Sequence, residues 1–230
     1  MSLSVRDAEL EELMDDPACD PRRLKATLRR FGTINRLFSG WGTTYRDRLR
    51  PALAALGRPA RVLDLGSGGG DLVVRLAALA RQDGLNVSWI GADPDHRSLE
   101  IAGERAAPGI EFRVTDAASL RREGETFDAV VSNHVLHHLS SAELAAFAED
   151  SLALSTGPVI HSDIRRSSAA YGLYAIAITP FAPGTFLRTD GLRSIRRSYL
   201  PDELGGALGG RWRVETGSPF RVLALAHADA

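Results

Sequence analysis

The chain has 230 residues, 44% hydrophobic and 25% charged, with a formal net charge of -1. That length can bury the core of one large α/β domain, and the near-zero charge excludes the basic surface a nucleic-acid binder presents. Its one cysteine, Cys19, excludes an internal disulfide framework and a multi-cysteine zinc site.

Residues 1–50 read as a helical cap. Leu10, Leu13 and Met14 fit helical spacing, and Asp15-Asp16-Pro17 interrupts it. A second helix starts near Pro21, where proline suits a first turn, and runs towards Phe31. From Arg61 the grammar becomes that of a sheet. RVLDL (61–65) is a strand that stops at Gly66-Ser67-Gly68-Gly69-Gly70. Residues 71–82 are a helix, 86–92 a strand, 96–107 a helix and 110–114 a strand. Residues 127–132, a helix at 141–154 and a strand at 158–161 complete the alternation. Strands alternating with helices of ~10–15 residues predict a parallel sheet with right-handed crossovers. Residues 164–200 break the pattern and read as a lid insertion. A helix at 201–208 follows, then RWRVE (211–215) and FRVLALA (220–226). The short link between these two strands permits only an antiparallel hairpin, so the sheet ends with a reversed strand. The expected fold is α/β: a Rossmann-like, doubly wound, seven-stranded sheet. Its divisions are the cap (1–50), the core (51–163), the lid (164–200) and the closing helix and hairpin (201–230). No apolar run reaches the ~18 residues of a membrane span. The acidic opening MSLSVRDAELEELMDD lacks a signal peptide's apolar stretch, so a cytoplasmic protein is expected.

The chemistry gathers at successive strand ends, where open α/β sheets hold their ligands. The loop Asp64-Leu65-Gly66-Ser67-Gly68-Gly69-Gly70 departs from the dinucleotide fingerprint. Asp71 stands where its third glycine belongs and would repel a pyrophosphate. Asp64 suits a cationic group instead. Asp93-Pro94, after the second strand, can accept both hydroxyls of a ribose. Asp116-Ala117, after the third, offers a carboxylate to an adenine amino group, and Asn133-His134 ends the fourth. Singly, such acids are also common caps. In order on four strand ends they describe a nucleoside site.

VLDLGSGGG, GADPD, TDA and FDAVVSNHVLHHL resemble the motif series of class I S-adenosylmethionine-dependent methyltransferases over about residues 60–163. The resemblance implies S-adenosylmethionine as cofactor. Its methionine part would sit at Asp64, Gly66, Ser67, Gly68 and Gly70, its ribose at Asp93 and Pro94, its adenine at Asp116 and Ala117, with Asn133 beside it. Residues 31–50 are similar to the segment before the core in ubiquinone/menaquinone-type methyltransferases, through Asn35, Leu37, Ser39, Gly42 and Arg46. Their later arginine-asparagine signature is replaced by HVLHHL. HSDIRRS and APGTFLRTDGLRSIRRSYLP look like methyltransferases encoded beside type III polyketide synthases. These likenesses imply a small aromatic, phenolic or polyketide-like acceptor in secondary metabolism, with O-methylation favoured. A quinone-type C-methyltransferase and a non-catalytic cofactor-binding partner are the alternatives, and either a monomer or a homodimer is compatible.

His137 matches the catalytic histidine of phenolic O-methyltransferases, and His134 is the second candidate. Histidine near pKa ~6.5 can take the proton of a hydroxyl near ~10. The same side chains would equally pack a short helix. His161, Tyr171, Tyr174, Phe186, Arg188 and Arg46 are the expected acceptor-binding residues. No third ligand follows His134 and His138 at a recognisable spacing, so no metal centre is expected. The 28 basic residues include one lysine, Lys25. Six arginines, at 165, 166, 188, 193, 196 and 197, fall in the lid, where guanidinium groups could bind an acidic acceptor.

Overall fold

The β-branched and leucine runs form strands, and each stops at a glycine or a polar residue. A computed structural model describes residues 3–217 and 219–228, without the side chains of 36–38, so Leu37's side chain lies outside the described residues. Ahead of the sheet come α1 (Pro21–Phe38), α2 (Trp41–Thr44), a π-helical turn (Tyr45–Leu49) and α3 (Arg50–Ala55). The core follows as β1 (Ala60–Leu65), α4 (Asp71–Gln82), β2 (Val87–Asp93), α5 (His96–Gly103), β3 (Ile110–Val114), α6 (Ala117–Arg122) and β4 (Ala129–Asn133). A 3-10 turn (Leu136–His138), α7 (Ser141–Leu154) and β5 (Pro158–Ile164) complete it. The insertion holds α8 (Ser168–Ala177), a 3-10 turn (Thr179–Phe181) and α9 (Leu187–Arg197). α10 (Pro201–Leu208), β6 (Arg213–Gly217) and β7 (Arg221–His227) close the chain.

The sheet order is β3-β2-β1-β4-β5-β7-β6. β1 to β5 are parallel, and β7 runs antiparallel to both β5 and β6, as the short link requires. Alternate side chains feed two apolar layers. Leu63, Ile90, Val130 and Val159 point to one face, with Leu144 and Leu154 of α7. Val62, Trp89, Val131 and Ile160 point to the other, with Leu72, Val73 and Leu76 of α4. Burying each such side chain is worth roughly 1.5–3 kcal/mol. Covering both faces is why the strands read as continuous apolar runs.

β5 is three residues longer than its apolar core predicts. Pairing with β7 extends it from Pro158 to Ile164, which carries Asp163 onto the sheet rather than into a loop. The expected helix before Asp15 does not form. Residues 3–20 run as turns and extended chain, and helix begins only at Pro21, capped by Asp20. Side chains satisfy this backbone in place of helical bonds. Asp190 accepts from the amides of Leu13 and Met14, at 2.9 and 3.0 Å. Arg193 donates to the Glu11 carbonyl, and Arg97 to those of Met14 and Asp16.

Candidate active site

The glycine loop is latched to the end of β2. The Gly66 and Ser67 amides donate to the Ala92 carbonyl, and the Gly68 amide donates to Asp93 Oδ2 at 2.7 Å. Asp93 Oδ1 accepts from the Asp95 amide at 2.9 Å. Gly66 has φ +72, and a Cβ there would lie 2.4 Å from Val135 Cγ2, so only glycine fits. Gly68, at φ +51, has nothing within 4 Å of a Cβ; the loop faces open space at that point.

Asp64 is 1% exposed, and neither of its carboxyl oxygens has a hydrogen-bond partner among the described residues. Burial, with the charges of Asp71 and Asp93, pushes its carboxyl well above the usual range. Burial also raises Asp71 and Asp93. Three carboxyls crowded at a glycine loop call for a cation, not a phosphate. Asn35 and Ser39, from the segment before the core, brace this end. Asn35 Nδ2 donates to Asp71 Oδ2 at 3.0 Å, and Arg75 joins the Asn35 carbonyl to Ser39 Oγ.

Past β4 a second cluster forms. Asp163 Oδ1 is 2.7 Å from His137 Nδ1, and Asp163 Oδ2 accepts from the His137 amide. On the ring's other side, His137 Nε2 lies 3.2 Å from Glu12 Oε1, and both side chains are buried. Burial alone would lower this imidazole; Asp163 and Glu12 outweigh it and raise it to about 9. His137 holds Asp163 well below the usual carboxylate range against the opposing effect of burial. His138 Nδ1 is 3.0 Å from Asp15 Oδ2, and its ring stands 4.2 Å from that of His137.

His134 does not fit the role of base. Its Nε2 accepts from Arg221 at 2.9 Å, and burial and the Arg221 charge press its proton affinity well down. Its φ of +62 is strained for a residue with a Cβ, a feature that clusters at functional sites. Arg221 also donates to Asn133 Oδ1 and to Ser162 Oγ. Asn133 Oδ1 further accepts from Trp41 Nε1 at 3.0 Å.

Several expected acceptor residues sit elsewhere. His161 is wholly buried, with Nδ1 on Ser132 Oγ and its ring between Phe147 and Trp212; burial pushes it down to about 3. Phe186 packs with Leu24, Leu28 and Ile101 under the Arg23 guanidinium. Tyr174 donates to the Leu187 carbonyl and fastens α8 to α9. Tyr171 is half-buried on α8, while Arg46 and Arg188 are exposed. Of the six arginines in residues 164–200, four fasten the N-terminal segment. Arg166 reaches the Leu3 carbonyl, Arg193 that of Glu11, Arg196 pairs with Asp7, and Arg197 with Asp15. Asp116 caps α6 by accepting from the Ser119 amide, which leaves its carboxylate exposed; Ala117 beside it is buried and Pro94 exposed.

Residues 62–156 match the family model described as a methyltransferase domain. Those residues are a methyltransferase domain. A ubiquinone biosynthesis O-methyltransferase of Brucella ovis is 36% identical over 119 residues, 50% of this chain and 46% of that protein. One from Mesorhizobium japonicum is 32% identical over 153 residues, 65% of this chain and 58% of that protein. The chain thus spans about half the length of the curated relatives it matches. Among solved structures, the plantazolicin methyltransferase BpumL in complex with SAH aligns over 90% of this chain and 95% of its own, with TM-score 0.60 and 14% identity. At that identity the likeness concerns the methyltransferase fold alone. Glu12, Asp15, Trp41 and Arg221 join these two clusters without a local sequence signal. Glu12 and Asp15 lie on the N-terminal segment, and Arg221 is carried in by the β5–β7 pairing.

Proposed function

We propose that the chain transfers a methyl group from S-adenosylmethionine to a small-molecule acceptor, aromatic or polyketide-like, at oxygen in preference to carbon. The observation that carries the cofactor is Asp64, buried without a hydrogen-bond partner among the described residues and within the electrostatic reach of Asp71 and Asp93, beside an open glycine loop. An α-ammonium and sulfonium would relieve that charge, so the residues fit the group. Asp64 and the loop would hold its methionine end, Asp93 and Pro94 its ribose, Asp116 and Ala117 its adenine, with Asn133 alongside. Bound there, the cofactor supplies a methyl already activated by positive sulfur.

The protein's part is alignment, exclusion of water and disposal of the acceptor's proton. His137, oriented by Asp163, is the proposed base. It can serve only when Glu12 withdraws from Nε2, because both ring nitrogens now face carboxylates. The ubiquinone biosynthesis O-methyltransferases support oxygen as the target. Tyr171 and Arg188 remain proposed acceptor contacts, reachable from solvent on α8 and α9.

A panel of phenols, alkylresorcinols and quinols, scored for a mass gain of one methylene, tests this reading. Phenolic oxygens should be methylated, and His137→Gln should lower kcat by about 10²–10⁴-fold. Transfer to ring carbon alone, or full activity of His137→Gln, would contradict it.

A further inference from the structure

We propose that Glu12, His137 and His138 form a binding site for one divalent transition-metal ion, with zinc the best match to the donor set. Glu12 Oε1, His137 Nε2 and His138 Nε2 are the three ligand atoms, and each lies within 4.8 Å of the others. Oε1 is 3.2 Å from the first nitrogen and 3.9 Å from the second. Tetrahedral coordination with bonds near 2.1 Å sets ligand atoms about 3.4 Å apart, so small side-chain movements complete the site.

The surroundings point the same way. Each histidine turns its Nδ1 onto a carboxylate, His137 onto Asp163 at 2.7 Å and His138 onto Asp15 at 3.0 Å. A carboxylate on Nδ1 retains the proton of that nitrogen, so an ion that displaces the Nε2 proton finds the lone pair on Nε2, the arrangement that outer carboxylates impose on metal-bound histidine. Here it occurs twice, with both Nε2 atoms meeting one glutamate. Glu12 is itself positioned, since Oε1 accepts from Ser194 Oγ at 2.7 Å. His137 Nε2 is fully buried and, among the described residues, makes no hydrogen bond of good geometry, although Glu12 Oε1 stands 3.2 Å away. His138 is partly exposed and gives the ion a path from solvent. Two imidazoles and a carboxylate suit zinc better than magnesium.

The inference does not rest on the methyl-transfer reading. It alters the chemistry there if both hold. Ion-bound, His137 Nε2 has no lone pair for a proton, and the site would act on an acceptor oxygen as a Lewis acid.

The test is calorimetric titration of chelator-stripped full-length protein with Zn²⁺ alone, and separately with Mn²⁺ and Mg²⁺. One zinc per chain is expected, with weaker manganese and negligible magnesium binding. His138→Ala, at a partly exposed position that should fold normally, and Glu12→Gln should each weaken zinc at least about 100-fold. Asp15→Asn, which removes the outer partner of His138 together with the Arg197 pair, should cost about 10–100-fold. Thermal melts of each variant separate lost binding from lost fold. Absence of stoichiometric zinc in the stripped wild type, or unchanged affinity in both folded His138→Ala and Glu12→Gln, would overturn the proposal. S-adenosylmethionine binding, titrated in the same samples, reports on the proposed function separately.

Discussion

Replacing Asp64 by asparagine is expected to stabilise the ligand-free protein and to weaken S-adenosylmethionine binding. The wild-type carboxyl is buried with no hydrogen-bond partner among the described residues and feels the charges of Asp71 and Asp93. An isosteric amide removes the charge that burial opposes. A gain on the order of 1–2 kcal/mol is expected, or roughly 2–8 °C in melting temperature for a chain of this size. The pH dependence has a definite sign. A carboxyl raised on folding contributes stability below its unfolded pKa near ~3.9, and that contribution is lost as pH rises through the folded value. The asparagine variant should therefore lose less stability than wild type as pH rises from 4 to 8. Cofactor affinity should fall at least about 10-fold, since the carboxylate is the proposed partner of its cationic end. A variant that melts lower and binds the cofactor normally would assign Asp64 to the fold instead.

Asp163→Asn is expected to have the opposite effect on stability, and a larger one. Asp163 is wholly buried and accepts from the His137 amide, its ring nitrogen and the Ile164 amide. Removing one partner of a buried ion pair leaves the other uncompensated and typically costs about 3–5 kcal/mol. Urea denaturation at pH 7 should show that loss, and activity should fall through the misoriented imidazole. Asp163 is held well below the usual carboxylate range, so its contribution is present above pH ~4 and lost as pH falls through the folded value. The variant should lack that part of the acid transition. A matched change at Asp116, an exposed helix cap, should cost no more than about 0.5–2 kcal/mol. A loss of under 1 kcal/mol at Asp163 would show that the pair contributes little.

The sheet was readable because its signals are local. Alternation of strand and helix, glycines at the first strand's end and a link too short for a crossover all reside in neighbouring residues. The strand-end acids were readable for the same reason. The second cluster was not, because its members meet only through tertiary packing. Glu12 sits in a stretch whose leucines fit helical spacing, yet the side chains of Asp190, Arg193 and Arg97 satisfy its backbone as extended chain and turns. Phe186 and His161 are aromatic residues near the expected acceptor site, but composition does not say which way a side chain points. Both point into packed layers. The lid arginines looked like a binding surface; four of them fasten the N-terminal segment that brings Glu12 to His137.

The central claim is that the glycine loop and its three carboxyls receive S-adenosylmethionine. Calorimetric titration of the purified protein with that cofactor tests it most directly, with NADH titrated in parallel. The account predicts one S-adenosylmethionine per chain, binding reduced at least about 10-fold in Asp93→Ala, and no NADH binding. Binding of NADH in its place, or no binding of S-adenosylmethionine by a folded protein, would contradict it.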